Sequence, residues 1–154
     1  MKIPNRLQSR EAGQLIGVLV VLLAVIGIGL WLLFSYRNGM RDEGRAFGRQ
    51  VIDRVAVQHD ANFLAASLGP QARLNMPPPM QQELMDRLRQ LGTPVGPANV
   101  QGDITFQSQF FEPRGMFNAQ LNYPAGSVRL DVAISHPVGR WQVDNISLST
   151  LGAR

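Results

Sequence analysis

The sequence predicts an α+β domain behind an N-terminal transmembrane helix, with helices packed on a four-stranded antiparallel meander. Three observations predict it. Twenty residues from Leu15 to Phe34 carry no polar side chain; apolar residues then recur every three or four positions between Met40 and Leu91; and from Val100 onward apolar and polar residues alternate. The expected division is a short basic segment over 1–14, a membrane helix over 15–36 and a soluble α+β domain over 37–154.

Each element follows from its residues. Twenty helical residues at about 1.5 Å each reach about 30 Å, the thickness of a bilayer's hydrocarbon core. Trp31 and Tyr36 stand near one end, where amphipathic rings favour the interface, and Arg37 stops the run. Lys2, Arg6 and Arg10 resemble the charged start of a secretory signal, but Phe34-Ser35-Tyr36 offers no small-x-small cleavage site, so an uncleaved anchor is expected. Counting arginines beyond the span (Arg37, Arg41, Arg45, Arg49, Arg54) favours a cytoplasmic domain. The acids Asp42, Glu43 and Asp53 lie among them, however, and the short basic N-terminus has the form of an N-in anchor. The expectation is therefore a single-pass protein whose C-terminal domain is periplasmic or otherwise extracytoplasmic.

Past the span, Met40, Gly44, Phe47, Val51 and Val55 share a helix face, joined to the anchor through a break expected at Asn38-Gly39. A second helix is expected with Asp60 as N-cap, Phe63, Leu64 and Leu68 on its apolar side, and Gly69-Pro70 as its stop. Pro77-Pro78-Pro79 opens a third, striped by Met80, Leu84, Leu88 and Leu91 and ended by Gly92 and Pro94. Four strands follow. They are Val100 to Phe106, Met116 to Tyr123, Ser127 to Ser135 and Arg140 to Leu148, with turns at Pro124-Ala125-Gly126 and His136-Pro137-Val138-Gly139. Trp141 and Val143 fall on one parity and Ile146 and Leu148 on the other, which predicts a bulge near Asn145. Trp141 is expected in the core against Phe47 and Val51, and Tyr123 at an edge.

Helices followed by a four-stranded meander that ends in Gly139-Arg140-Trp141-Gln142-Val143 resemble the nuclear transport factor 2-like (cystatin-like) superfamily over roughly residues 40 to 150. Its bacterial members are often tethered behind one membrane helix. A narrower resemblance, carried by Leu91-Gly92-Thr93-Pro94-Val95, Gly102-Asp103-Ile104 and the closing tryptophan strand, is to the cytochrome oxidase assembly factor family. Both imply partner binding or assembly. The start of the apolar run, Leu15 to Val21, looks like a type IV pilin, with Gly17 where pilins carry a glutamate.

Composition narrows the chemistry. Formal charge is +4, but residues 37–154 hold 12 arginines and 10 acids, a net +2 that is no nucleic-acid footprint. With no cysteine and only His59 and His136, thiolate, metal and acid–base sites have little material, and the single glycines make no phosphate loop. No enzyme activity, cofactor or metal is expected. Three surfaces are candidates for contact. Gly13, Gly17, Ala24 and Gly27 keep the membrane helix narrow enough for close packing against another helix. Arg37, Arg41, Arg45 and Arg49, each four residues apart, make a stripe suited to lipid phosphates or an acidic partner surface. Asn118, Gln120, Asn122, Arg129, Asp131 and Gln142 form a polar sheet face for a protein partner. The function expected is thus a membrane-anchored, non-catalytic accessory or assembly subunit of a larger membrane protein complex. The alternatives are a tethered small-ligand-binding or enzymatic cone domain and a pilin-like subunit.

Overall fold

A computed structural model of the chain describes residues 8–108, 111–137 and 139–151, with side chains described from Leu15 onward. The chain divides between Asn38 and Gly39 into two compact units. The first is helical throughout its described part, and from Leu15 to Phe34 its large apolar side chains are exposed. It contains a helix long and apolar enough to cross a membrane.

The break expected at Asn38-Gly39 is not there. Helix α1 runs from Gln8 to Ile52. A single glycine costs a helix only about 1 kcal/mol, which the hydrogen bonds on either side outweigh. Past Ile52 the helix widens into one π-type turn, Asp53–Val57, and the chain reverses at His59, whose φ of 53° is left-handed. Asp60 then accepts a hydrogen bond from the Phe63 N–H at 2.9 Å and caps α2, Ala61–Ser67. Gly69-Pro70 ends α2 as expected, but Pro70 also opens a helix the periodicity did not announce, α3, Pro70–Asn75. Proline suits a first helical position because its missing N–H would be unsatisfied there anyway. Helix α4, Pro78–Leu91, buries Leu84, Met85 and Leu88, whereas Met80 is half exposed.

Four strands form one antiparallel sheet in the order β1-β2-β3-β4: Asn99–Phe106, Pro113–Tyr123, Gly126–Ser135 and Gln142–Thr150. The expected meander is present. Strand β2 starts three residues before Met116, and β4 starts after Trp141 and extends to Thr150. The register shifts between Ala133 (opposite Asn145) and Ile134 (opposite Val143), so Asp144 is the extra residue of a bulge. That bulge is what lets Val143 and Ile146 face the same way. Phe117, Ala119, Leu121, Val128, Leu130, Val132 and Ile134 form one core with Val51, Ile52 and Val55 of the first helix and Leu64, Leu68, Met85 and Leu88 of the others.

Two helical glycines set how closely α1 approaches the sheet. A Cβ on Gly44 would lie 2.6 Å from both the Ile104 Cδ1 and the Trp141 ring, and one on Gly48 would lie 2.6 Å from the Phe117 ring. Trp141 is seated on Gly44 and packs against the core from its margin, half-buried rather than enclosed. Its expected share of the core shrinks accordingly.

Tyr123 is buried rather than at an edge, and its hydroxyl donates to the Ala56 carbonyl in the π-type turn at 2.9 Å. Burial pushes this hydroxyl's pKa above its usual 10.0. As pH rises past that value the unfolded chain loses the proton first, so it binds fewer protons than the folded one, and stability falls with pH. Below about pH 10 the group contributes no such slope. Tyr123→Phe is expected to cost about 0.5–1.5 kcal/mol at neutral pH through the lost hydrogen bond. It should also flatten the loss of stability as pH rises from neutral past about 10. Urea unfolding of wild type and variant at both ends of that window checks both.

Candidate interaction surfaces

The arginine stripe is split by what it touches. Arg41 lies with its guanidinium 5.8 Å from the centre of the Phe106 ring. From Arg45, Nε and Nη2 donate to the same carboxylate oxygen of Asp103 at 3.0 and 2.9 Å, across 58 residues of sequence. The Ile104 N–H also donates to that oxygen at 2.7 Å, and this bond, ahead of the arginine, holds the Asp103 carboxyl below its usual value. Asp103 lies on β1, which has a neighbouring strand on one side only. Arg49 is exposed beside a groove of about 610 Å³ lined by Ile52, Asp53 and the segment Gly96–Val100. Arg37 belongs to the first unit.

The outer sheet face is polar in register. Asn99 stands opposite Gln120 and Gln101 opposite Asn118, so four carboxamides occupy adjacent positions on β1 and β2. Arg129 continues one row from Gln120, and Asp131 the other from Asn118. Around Asn99, Gln101, Asn118, Gln120 and Arg129, with Leu151 closing one side, is a shallow hollow of about 220 Å³. Asn99 and Gln101 are members that sequence reasoning missed, Asn99 because it precedes the strand start read from the sequence and Gln101 because only its pairing with Asn118 puts it beside the β2 carboxamides. Arg129 Nε donates to Asp131 at 2.9 Å, and the Ser127 hydroxyl donates to Asn122 at 2.8 Å.

Gln142 is set apart from the other members. Its side chain packs against Gly69, where a Cβ would lie 2.6 Å from its amide nitrogen, and that nitrogen donates to Asp144 at 3.1 Å. The Ser135 hydroxyl donates to the same Asp144 oxygen at 2.9 Å. Gly69 N–H in turn donates to the Val143 carbonyl at 2.9 Å, and Leu68 bridges Val143 in parallel, so the α2–α3 junction covers the start of the β4 edge. These local bonds were not legible in the alternation pattern.

No family model, curated protein or solved structure matches this chain.

On the apolar N-terminal helix, Gly17 and Gly27 have no heavy atom within 4 Å of where a Cβ would stand, and Ala24 is exposed. The surroundings of Gly13 lie outside the described residues, as does the basic start over residues 1–7. Among the described residues no group of three or more histidine, aspartate or glutamate side chains is placed to hold a metal ion.

Proposed function

We propose that this chain is a single-pass membrane-anchored, non-catalytic accessory or assembly subunit whose α+β domain, of the cystatin-like type, binds a protein partner through its outer sheet face. The anchor would sit in a bacterial inner membrane with the domain on the periplasmic side, and its small-residue face would pack on a helix of a larger complex. One observation carries the reading. The inward positions of β2 and β3 are filled by apolar side chains, the inward Tyr123 hydroxyl is spent on Ala56, and the only other polar side chain buried among the described residues is Ser135. A ligand-binding cone needs a few convergent polar groups in its cavity, whereas a partner module needs a filled core and an exposed patterned face. The carboxamide rows supply that face.

Mild-detergent purification of the tagged chain should bring a stoichiometric partner with it, and Gln120→Lys combined with Arg129→Glu should release that partner without lowering the melting temperature. Persistence of the complex in the double variant would contradict the assignment of this face. Residues 39–154 expressed alone should be soluble and cooperatively folded, since the core draws on no residue before Val51 and its partly buried rim on none before Phe47. Circular dichroism and a urea melt of that fragment check this; an aggregated or unfolded product would contradict it.

A further inference from the structure

One end of the second unit gathers loops that neither the partner-binding face nor the core uses. Gly44 meets Ile104 and Trp141, and Gly48, one turn later, meets Phe117. Helix α1 therefore crosses the sheet starting from the end where β1 passes to β2. Arg41 lies over Phe106 at that same end. There the Gln107 N–H donates to the Glu112 carbonyl across the β1–β2 loop, and the His136 N–H at the close of β3 donates to the Pro113 carbonyl, both at 3.3 Å. The His136 ring meets Trp141 across the β3–β4 loop with centroids 5.1 Å apart. The two loops thus share an end with the point where the chain enters, and they expose Phe111, at 62%, together with Arg114 and Arg140. Glu43, Glu112, Asp42 and Asp103 are exposed acids nearby, the last two lying 3.8 and 2.9 Å from Arg45. The β2–β3 hairpin, with Pro124 and Ala125, is at the far end of the sheet.

Chain length says what covers this end. The apolar run closes at Phe34, and Arg41, which lies over Phe106 at this end, is seven residues on. Seven residues span at most about 25 Å even when fully extended. A headgroup layer is about 5–8 Å deep on each side of the hydrocarbon. If Leu15 to Phe34 crosses the bilayer, the entry end is confined near the headgroups by its covalent tether alone.

We infer that this end docks on phospholipid headgroups, with the Phe111 ring in the interfacial layer and the guanidinium groups of Arg114 and Arg140 on lipid phosphates. An aromatic ring favours that layer, and a guanidinium fork matches two phosphate oxygens at once. Arg45 and Arg49 take no part, the first being held by Asp103 and the second lying further along the helix. The inference rests on the membrane-anchor reading and is independent of the identity of any protein partner.

The absence of native cysteine permits single-site labelling. Full-length Gln107→Cys and Ala125→Cys, each carrying a bimane fluorophore, would be reconstituted in phosphatidylethanolamine–phosphatidylglycerol vesicles containing headgroup spin-labelled lipid. Quenching at position 107 should exceed that at 125 at least threefold. Adding Phe111→Ser, Arg114→Glu and Arg140→Glu to the Gln107→Cys chain should reduce that quenching at least twofold, with an unchanged circular dichroism spectrum. Equal quenching at the two ends, or quenching at 107 indifferent to the triple change, would overturn the docking while leaving the anchor intact. Failure of the unlabelled chain to float with the vesicles would overturn both.

Discussion

Phe117→Ala is expected to cost about 3–5 kcal/mol, the usual loss when a buried aromatic side chain is removed and its cavity only partly closes. The ring is 3% exposed and occupies space left by three missing side chains: a Cβ on Gly48 of α1, Gly102 of β1 or Gly115 of β2 would stand 2.6, 2.7 and 2.7 Å from its carbons respectively. Glycines cannot reach in to fill the void, so relaxation is restricted to backbone movement. That loss is a large share of the roughly 5–15 kcal/mol that separates folded from unfolded domains. Urea unfolding of the 39–154 fragment would read it as a lowered midpoint with little change in slope. A cost under about 1 kcal/mol would mean that the ring is not where the three glycines place it.

Overfilling the same spot should also destabilise. Gly48→Val puts a branched side chain into the Phe117 ring, and overpacking of this kind typically costs about 1–3 kcal/mol. Replacing a helical glycine would otherwise gain up to about 1 kcal/mol in chain entropy, so the sign separates the two effects. If Gly48 faced solvent, the change would be neutral or stabilising. Combining it with Phe117→Ala should restore part of the loss, because the valine would then occupy the vacated space. Contacting positions usually couple by about 0.5–3 kcal/mol in such a cycle, and strict additivity would argue that the two residues do not touch.

How much of this was legible in the sequence depended on whether the signal was local. The apolar run, the Asp60 cap, the alternating strands and the bulge all announce themselves within a few residues, since each reflects a period or a cap bond over three positions. Glycines that admit a ring carry no such mark. Gly44 stood in the predicted apolar stripe, but Gly48, Gly102 and Gly115 read only as small residues until the register set Phe117 among them. The Arg45–Asp103 pair was hidden for a related reason: 58 residues separate its members, and only the pairing of β1 with β2 and the packing of α1 bring them together. Pro70 misled in the other direction, since a residue that stops one helix can begin the next, and Asn38-Gly39 misled because one helix-averse pair does not end a long helix.

The polar face was legible in part. Outward parity on β2 and β3 was plain, so Gln120, Asn122 and Arg129 were placed correctly as exposed, whereas Asn118 and Asp131 are half-buried. Gln142 had the same parity but folds onto Gly69, a contact made by the short α2–α3 junction rather than by the sheet. Asn99 lay one residue before the strand start read from the sequence, and its place opposite Gln120 completes the carboxamide rows.

The central claim is that Leu15 to Phe34 holds the chain in a bilayer while residues 39–154 fold outside it. Alkaline carbonate extraction of membranes from cells expressing the full chain, followed by intact-mass measurement of the retained protein, tests it most directly. The account predicts that the chain stays in the membrane pellet with a mass that includes the whole apolar segment. Release into the carbonate supernatant, or a mass lacking the residues up to Phe34, would contradict it.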